Sequence, residues 1–274
     1  MAIAIGLEER AVNLVAIYVT GDIHGDSKRL STKIFTEQKE LTKDDYVIIL
    51  GDFGLVWNKD GEDRSEKHWL DWLEDKKFTT LFIDGNHENH NRLAEYPVEM
   101  WNGGQVHKIR PSVIHLMRGE IFELQGHTFF TFGGASSHDI KDGILEEGDP
   151  RIKRWKKDYY KEYRIRNVEW WEAELPSEEE MQHGLENLEK HNNKVDFILT
   201  HCGATSTARE IGELLDKSYK PDILTKYLEQ IKEKVDYKKW YMGHYHICHL
   251  VNEKETVLFE EIEELPTEST AWNE

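Results

Sequence analysis

The chain has 274 residues, 38% of them hydrophobic, and a formal net charge of −18. That length suffices to bury a sizeable core, and no apolar run reaches membrane-spanning length, so a soluble protein with no membrane partner is expected. The charge opposes broad binding to nucleic acid or anionic lipid, and a chain this acidic that handles phosphates needs local positive charge of the kind metal ions supply.

The opening stretch, MAIAIGLEERAVN, has no basic segment ahead of a long apolar run, so residues 1–14 read as an N-terminal extension and not as a signal peptide. The first apolar run, Leu14–Val19, leads into Thr20-Gly21-Asp22-Ile23-His24-Gly25, and a helical pattern is expected over Asp26–Gln38. Tyr46–Leu50 leads into Gly51-Asp52-Phe53-Gly54, followed by a helical pattern over Arg64–Glu74. Thr80–Ile83 leads into Asp84-Gly85-Asn86-His87-Glu88. Short apolar runs of this kind suit strands buried on both faces, and glycine directly after a strand permits a tight turn.

Two further strands are expected at Ile121–Leu124 and Thr128–Phe132. The segment 141–171 is rich in Lys, Arg and aromatic residues and reads as a charged insertion. Ser177-Glu178-Glu179-Glu180 is a capping-box signature ahead of Met181, Leu185 and Leu188, spaced for one helix face. Phe197–Leu199 leads into Thr200-His201-Cys202-Gly203, and Asp222 is suited to cap a helix carrying Ile223, Tyr227, Leu228 and Ile231. Trp240–Met242 ends in Gly243-His244-Tyr245-His246, with strands expected at His249–Val251 and Thr256–Phe259 and an acidic tail over 261–274. The two cysteines, Cys202 and Cys248, allow one disulfide on count alone, but a reducing cytoplasm is the simpler expectation.

The chemistry converges on the strand ends. Two Asp, one Asn and four His, from Asp22, His24, Asp52, Asn86, His201, His244 and His246, are the nitrogen and oxygen donors that a pair of divalent metals sharing a carboxylate requires. Asp22 and His24 are two residues apart, as are His244 and His246, so each pair can present both side chains to one place. A single Gly-Asp is usually just a turn, and a single His in an apolar run is usually a satisfied core residue. Those readings fare poorly when five strand–turn units in one chain each deliver metal-compatible groups.

The motifs GDIHG at Gly21–Gly25, GDFG at Gly51–Gly54, GNHE at Gly85–Glu88, THCG at Thr200–Gly203 and GHYH at Gly243–His246 resemble the ordered signatures of the calcineurin-like metallophosphoesterase superfamily. The resemblance implies an α/β fold, a four-layer αββα sandwich with two mixed β-sheets, over a single domain at 15–260. It implies one metal held by Asp22, His24, Asp52 and His246, and a second by Asp52, Asn86, His201 and His244. Asp52 would bridge them and His87 would be the catalytic histidine. The expected function is dinuclear-metal-dependent hydrolysis of a phosphomonoester or phosphodiester by in-line attack of a bridging hydroxide. The alternative is a nuclease or nucleic-acid end-processing phosphatase. Manganese, iron or zinc fit the mixed donor set better than calcium, and the substrate would be a phosphorylated small molecule, a nucleotide or a phosphoprotein.

One departure matters. The phosphoprotein phosphatase branch carries an aspartate–arginine pair soon after its second motif, whereas Gly54-Leu55-Val56-Trp57 follows Asp52 here. Arg164 and Arg166, next to the Trp170-Trp171 pair in the charged insertion, are the candidates to supply the missing fork-shaped phosphate donor, with the insertion folding over the site as a lid.

Overall fold

The computed structural model describes residues 15–266; the N-terminal extension and the end of the acidic tail lie outside them. The element order is β1 (Ile17–Thr20), β2 (Tyr46–Leu50), α1 (Arg64–Glu74), β3 (Thr79–Ile83), α2 (His90–Leu93), β4 (Val98–Trp101), β5 (Gly104–Arg110), β6 (Val113–Leu116), β7 (Glu120–Leu124) and β8 (His127–Phe132). It continues with β9 (Gly143–Leu145), α3 (Pro150–Trp155), β10 (Tyr163–Ile165), α4 (Glu178–Lys190), β11 (Lys194–Thr200), α5 (Thr205–Leu215), α6 (Ile223–Lys234), β12 (Asp236–Met242), β13 (His249–Leu250), β14 (Glu255–Val257) and β15 (Ile262–Glu264).

Two large mixed sheets form. The first has the order β15-β1-β2-β3-β6-β5-β4 and the second β13-β14-β12-β11-β8-β7. In the first sheet β1, β2, β3 and β6 run parallel, flanked by antiparallel edges. In the second, β8, β11, β12 and β14 run parallel.

Alternation along the strands builds the layers. Ile48 and Leu50 point into the core between the sheets, where they join Leu81, Ile83, Phe129, Phe197 and Leu199. Val47 and Ile49 point the other way and pack with Leu70 and Leu73 of α1. On the far side, Phe130, Ile198 and Trp240 meet Leu188, Ile211 and Leu228 from α4, α5 and α6. Three apolar layers between helix, sheet, sheet and helix are the expected sandwich. Burying each Leu, Ile or Phe is worth about 1.5–3 kcal/mol before the opposing chain entropy.

Several expectations need correction. The segment Asp26–Gln38 is not one helix but two short 3-10 turns, Ser27–Leu30 and Glu37–Lys39. The Gln38 side-chain amide donates to the carbonyls of Leu30 and Phe35, serving acceptors that helical N–H groups would otherwise satisfy. The tail expected from 261 starts as structure, because Ile262–Glu264 pairs antiparallel with β1. Its glutamates accept hydrogen bonds from Tyr18 and Tyr241 at 3.1 and 2.9 Å, so acidity did not preclude an edge strand there. The meander β4–β5–β6 was not anticipated. Both capping boxes are present, Ser177 with Glu180 and Asp222 with Thr225. Both cysteines are free, and among the described residues no helix is long and apolar enough to cross a membrane.

Candidate metal centre

The parallel strands of both sheets end at a common rim, and their turns are laced together. The backbone N–H groups of Ile23 and His24 donate to the carbonyl of Asp52 at 3.2 and 2.8 Å, and Gly243 N–H donates to the carbonyl of His201 at 3.0 Å. His24, Asp52, His244 and His246 all have positive φ, between 44° and 71°. Four non-glycine residues in the left-handed region at one rim is costly backbone, of the kind found where side chains must be aimed. At Gly85 and Gly51 the approach is too close for any side chain. A Cβ on Gly85 would overlap the Asp52 carboxylate, and one on Gly51 would overlap the His201 ring.

Six of the seven expected ligands converge directly. Asp22, His24, Asp52 and His246 each direct one donor atom into a group whose members all lie within 4.8 Å of one another. His24 Nε2 faces His246 Nε2 at 3.0 Å, and His246 Nε2 is 3.1 Å from Asp22 Oδ2. Beside them, His201 Nε2 lies 3.2 Å from Asp52 Oδ1 and 3.3 Å from Asn86 Oδ1. His244 borders this group with its ring 4.9 Å from that of His201, and its backbone N–H donates to Asp22 Oδ1 at 2.9 Å. Its Nε2 faces His138 Nε2 at 2.7 Å.

These residues fit divalent cations. Asp22 Oδ2 is buried without a hydrogen-bond partner. His201 Nδ1 donates to the Leu50 carbonyl at 2.7 Å, so in the neutral ring Nε2 carries a lone pair aimed at two further acceptors, Asp52 and Asn86. Lone pairs gathered this way need a cation among them. Electrostatics agree. Burial alone would lower His201, but the Asp52 and Asp22 carboxylates outweigh it and push its pKa up to about 10. Burial likewise opposes ionisation of Asp52, yet His201, His87 and His24 hold it well below the usual carboxylate range. The bare cluster therefore attracts a proton where a cation would sit.

His87 sits beside this cluster. Its backbone N–H donates to Asp52 Oδ1 at 2.8 Å, and its ring lies 5.0 Å from His24 and stacks on Trp57 at 5.7 Å. Burial lowers its pKa, more than the Asp52 carboxylate raises it, so the neutral imidazole, still carrying one N–H, is the form present near pH 7. Arg164 and Asp139 also act on His87 electrostatically, and Arg164 Nε donates to Asp139 Oδ1 at 3.0 Å. Arg166 instead pairs with Glu146 at 2.9 Å and lies over Trp170, 4.9 Å from the ring centre. Cys202, next to His201, is buried, and burial pushes its thiol well above the ordinary value, which disfavours a nucleophilic thiolate.

Sequence reasoning missed three contributors. His138 was not singled out because Ser136-Ser137-His138 lies in a loop with no adjacent metal-type motif. Trp57 gave no signal beyond composition. Glu88 closes the GNHE motif, and its buried carboxylate accepts the Phe53 N–H at 2.5 Å and the Gly54 N–H at 3.2 Å, fixing the turn behind Asp52.

A fold of this class with this donor set defines a metallophosphoesterase. Residues 15–248 match the model of the calcineurin-like phosphoesterase family, and the chain belongs to that family. Among curated proteins it is similar to lariat debranching enzyme A of Xenopus laevis, 29% identical over 47% of this chain and 26% of that protein. It is also similar to the lariat debranching enzyme of Caenorhabditis briggsae, 27% identical over 68% of this chain and 35% of that protein. The matched region is about a quarter to a third of the length of these relatives.

Proposed function

We propose that this chain hydrolyses phosphoesters with two divalent metal ions, one held by Asp22, His24, Asp52 and His246 and the other by Asp52, Asn86, His201 and His244. The observation that carries this reading is the buried Asp22 Oδ2, which accepts no hydrogen bond although His246 Nε2 stands 3.1 Å away, within a converging group of imidazole and carboxylate donors. When bound, the ions supply Lewis acidity toward the phosphoryl oxygens and a nucleophilic hydroxide near neutral pH. His87 is held beside the site by its own backbone and by Trp57, and its imidazole N–H serves the leaving oxygen.

Arg164 takes the part of the absent arginine after Asp52. Asp139 orients its guanidinium, which acts electrostatically on His87, and the fork suits the remaining oxygens of a phosphate. The insertion over 141–171 acts as a lid, since Trp171 packs edge-on against Trp57 at 5.1 Å and Trp57 in turn stacks on His87. Among the described residues its cations pair with local acids, Arg151 with Asp149 and Lys161 with Asp142.

Assays on p-nitrophenyl phosphate and bis(p-nitrophenyl) phosphate with added manganese test the reading. Turnover of either ester that is lost with chelator and returns with metal is expected. No turnover with manganese, iron or zinc would sink it. A second reading, an activity on nucleic-acid diesters, draws support from relatives named for debranching lariats. Affinity rising with oligonucleotide length and falling with salt would favour it.

A further inference from the structure

A cleft of about 370 Å³ opens directly beside the metal centre, and its wall includes His244. Around it stand His138, Tyr219, Ser218, Lys141 and Lys220. None of these belongs to the five motifs. The volume is at the small end of the range for small-molecule sites, enough for a compact ligand and too little for a polymer.

The lining has a distinct chemistry. The His138 and Tyr219 rings lie 4.9 Å apart at 53°, and Tyr219 is braced from behind by Tyr245 at 5.2 Å. Tyr219, half-exposed at the cleft, offers an aromatic face on which a base can stack, with His138 set at an angle beside it. Lys141 and Lys220 line the same cleft in a chain of net charge −18, and His138 feels Asp139 and Asp222 as well as Lys217. Lys141 also pairs with Glu162 at 2.7 Å, whereas Lys220 forms no ion pair among the described residues. Asp222 is the one carboxylate of the lining among the described residues, and it accepts the Thr225 N–H at 2.7 Å as the cap of α6.

We propose that this cleft is a nucleotide subsite: an aromatic base stacks on the Tyr219 face with His138 against its edge, Lys220 at the rim meets the anionic charge, and the phosphoester reaches the metal centre past His244. The assignment rests on the phosphoesterase reading for its catalytic meaning, but not for the binding itself. It also answers the acidity of the whole chain, because one nucleotide met by Lys220 does not require the extended basic surface that a long polyanion would.

Two measurements on the full chain test it, using Lys220→Glu and Tyr219→Leu with folding checked by circular dichroism. The first is calorimetric titration with adenosine 5′-monophosphate, with and without manganese. Saturable binding is expected in both, weakened at least about fivefold by Tyr219→Leu, the lower end of what loss of base stacking costs, and also weakened by Lys220→Glu. The second is the ratio of kcat/KM for thymidine 5′-monophosphate p-nitrophenyl ester to that for bis(p-nitrophenyl) phosphate, which should fall in both variants. Wild-type protein that does not bind the mononucleotide at millimolar concentration, or variants that bind it as wild type does, overturns the subsite. Absence of turnover on every ester instead overturns the phosphoesterase reading, and the titration still decides the subsite.

Discussion

The backbone N–H of His87 donates to Asp52 Oδ1 at 2.8 Å, an oxygen that also lies 3.2 Å from His201 Nε2. The residue suited to proton transfer is thus tied to the carboxylate suited to bridge two metals, and the tie does not use the imidazole. Replacing the side chain of His87 leaves that bond in place. We expect His87→Gln to keep close to the wild-type metal content by elemental analysis while kcat falls about 10²–10⁴-fold. The fall should be smaller for a nitrophenyl ester, whose leaving group needs little protonation. Loss of metal in this variant would make His87 a ligand.

Asp52→Asn should affect both metal positions at once, because this one carboxylate faces His24 at 3.7 Å and His201 at 3.2 Å. Protein prepared without chelator should carry close to two divalent ions per chain in the wild type and clearly fewer in the variant. Ligands that bind only the native state raise its stability. The thermal midpoint of chelated wild-type protein should therefore rise on adding manganese, and that of Asp52→Asn should rise less. Equal rises would mean that Asp52 is not shared.

Arg164 and Arg166 are two residues apart but face different surroundings. Arg164 is held by Asp139 within electrostatic reach of His87, while Arg166 is taken up by Glu146 and the Trp170 face. Arg164→Ala should raise KM or lower kcat by about tenfold, in keeping with loss of a charge-assisted hydrogen bond worth about 1.5–3 kcal/mol, with metal content unchanged. Arg166→Ala should have the smaller effect. Wild-type kinetics in Arg164→Ala would reduce this cluster to surface charge.

The sandwich was legible because it rests on local signals that agree. Tyr46–Leu50 and Arg64–Glu74 fall where alternation and helical spacing put them, and the glycine-marked turns follow directly. The helix expected over Asp26–Gln38 was not legible, since its outcome depends on one side chain, Gln38, bonding carbonyls that only the folded turn brings near. β15 was hidden for a related reason. Its glutamates look like tail residues until Tyr18 and Tyr241, far away in sequence, provide their donors. At the site, the motif residues announced themselves, whereas His138 is significant only through its 2.7 Å approach to His244, a contact across more than a hundred residues. The positive φ angles at His24, Asp52, His244 and His246 were hard to read in advance, because Asp and His enter the left-handed region more often than most residues but still in a minority of cases.

Glu174 makes the stability of the fold depend on pH in a direction opposite to that of an ordinary ion-paired carboxylate. Its side chain is buried beneath Ser137, whose N–H and O–H donate to it at 2.9 and 2.6 Å. Burial favours the protonated form and outweighs those donors, so the carboxyl is pushed up to about 7. The native state therefore binds this proton more tightly than the unfolded chain does. The resulting stabilisation is fully present below the ordinary glutamate pKa and is lost as pH rises through about 7. Glu174→Gln keeps a neutral group of the same shape, with an amide oxygen for the Ser137 N–H, and removes the titration. The thermal midpoint of this variant minus that of wild type should become more positive between about pH 5 and about pH 8, by a few degrees for a chain of this size. His201, Asp52 and the other site groups titrate in both proteins and largely cancel in the difference. A difference that stays flat over that range would show that Glu174 is already ionised at pH 5 and that Ser137 wins over burial.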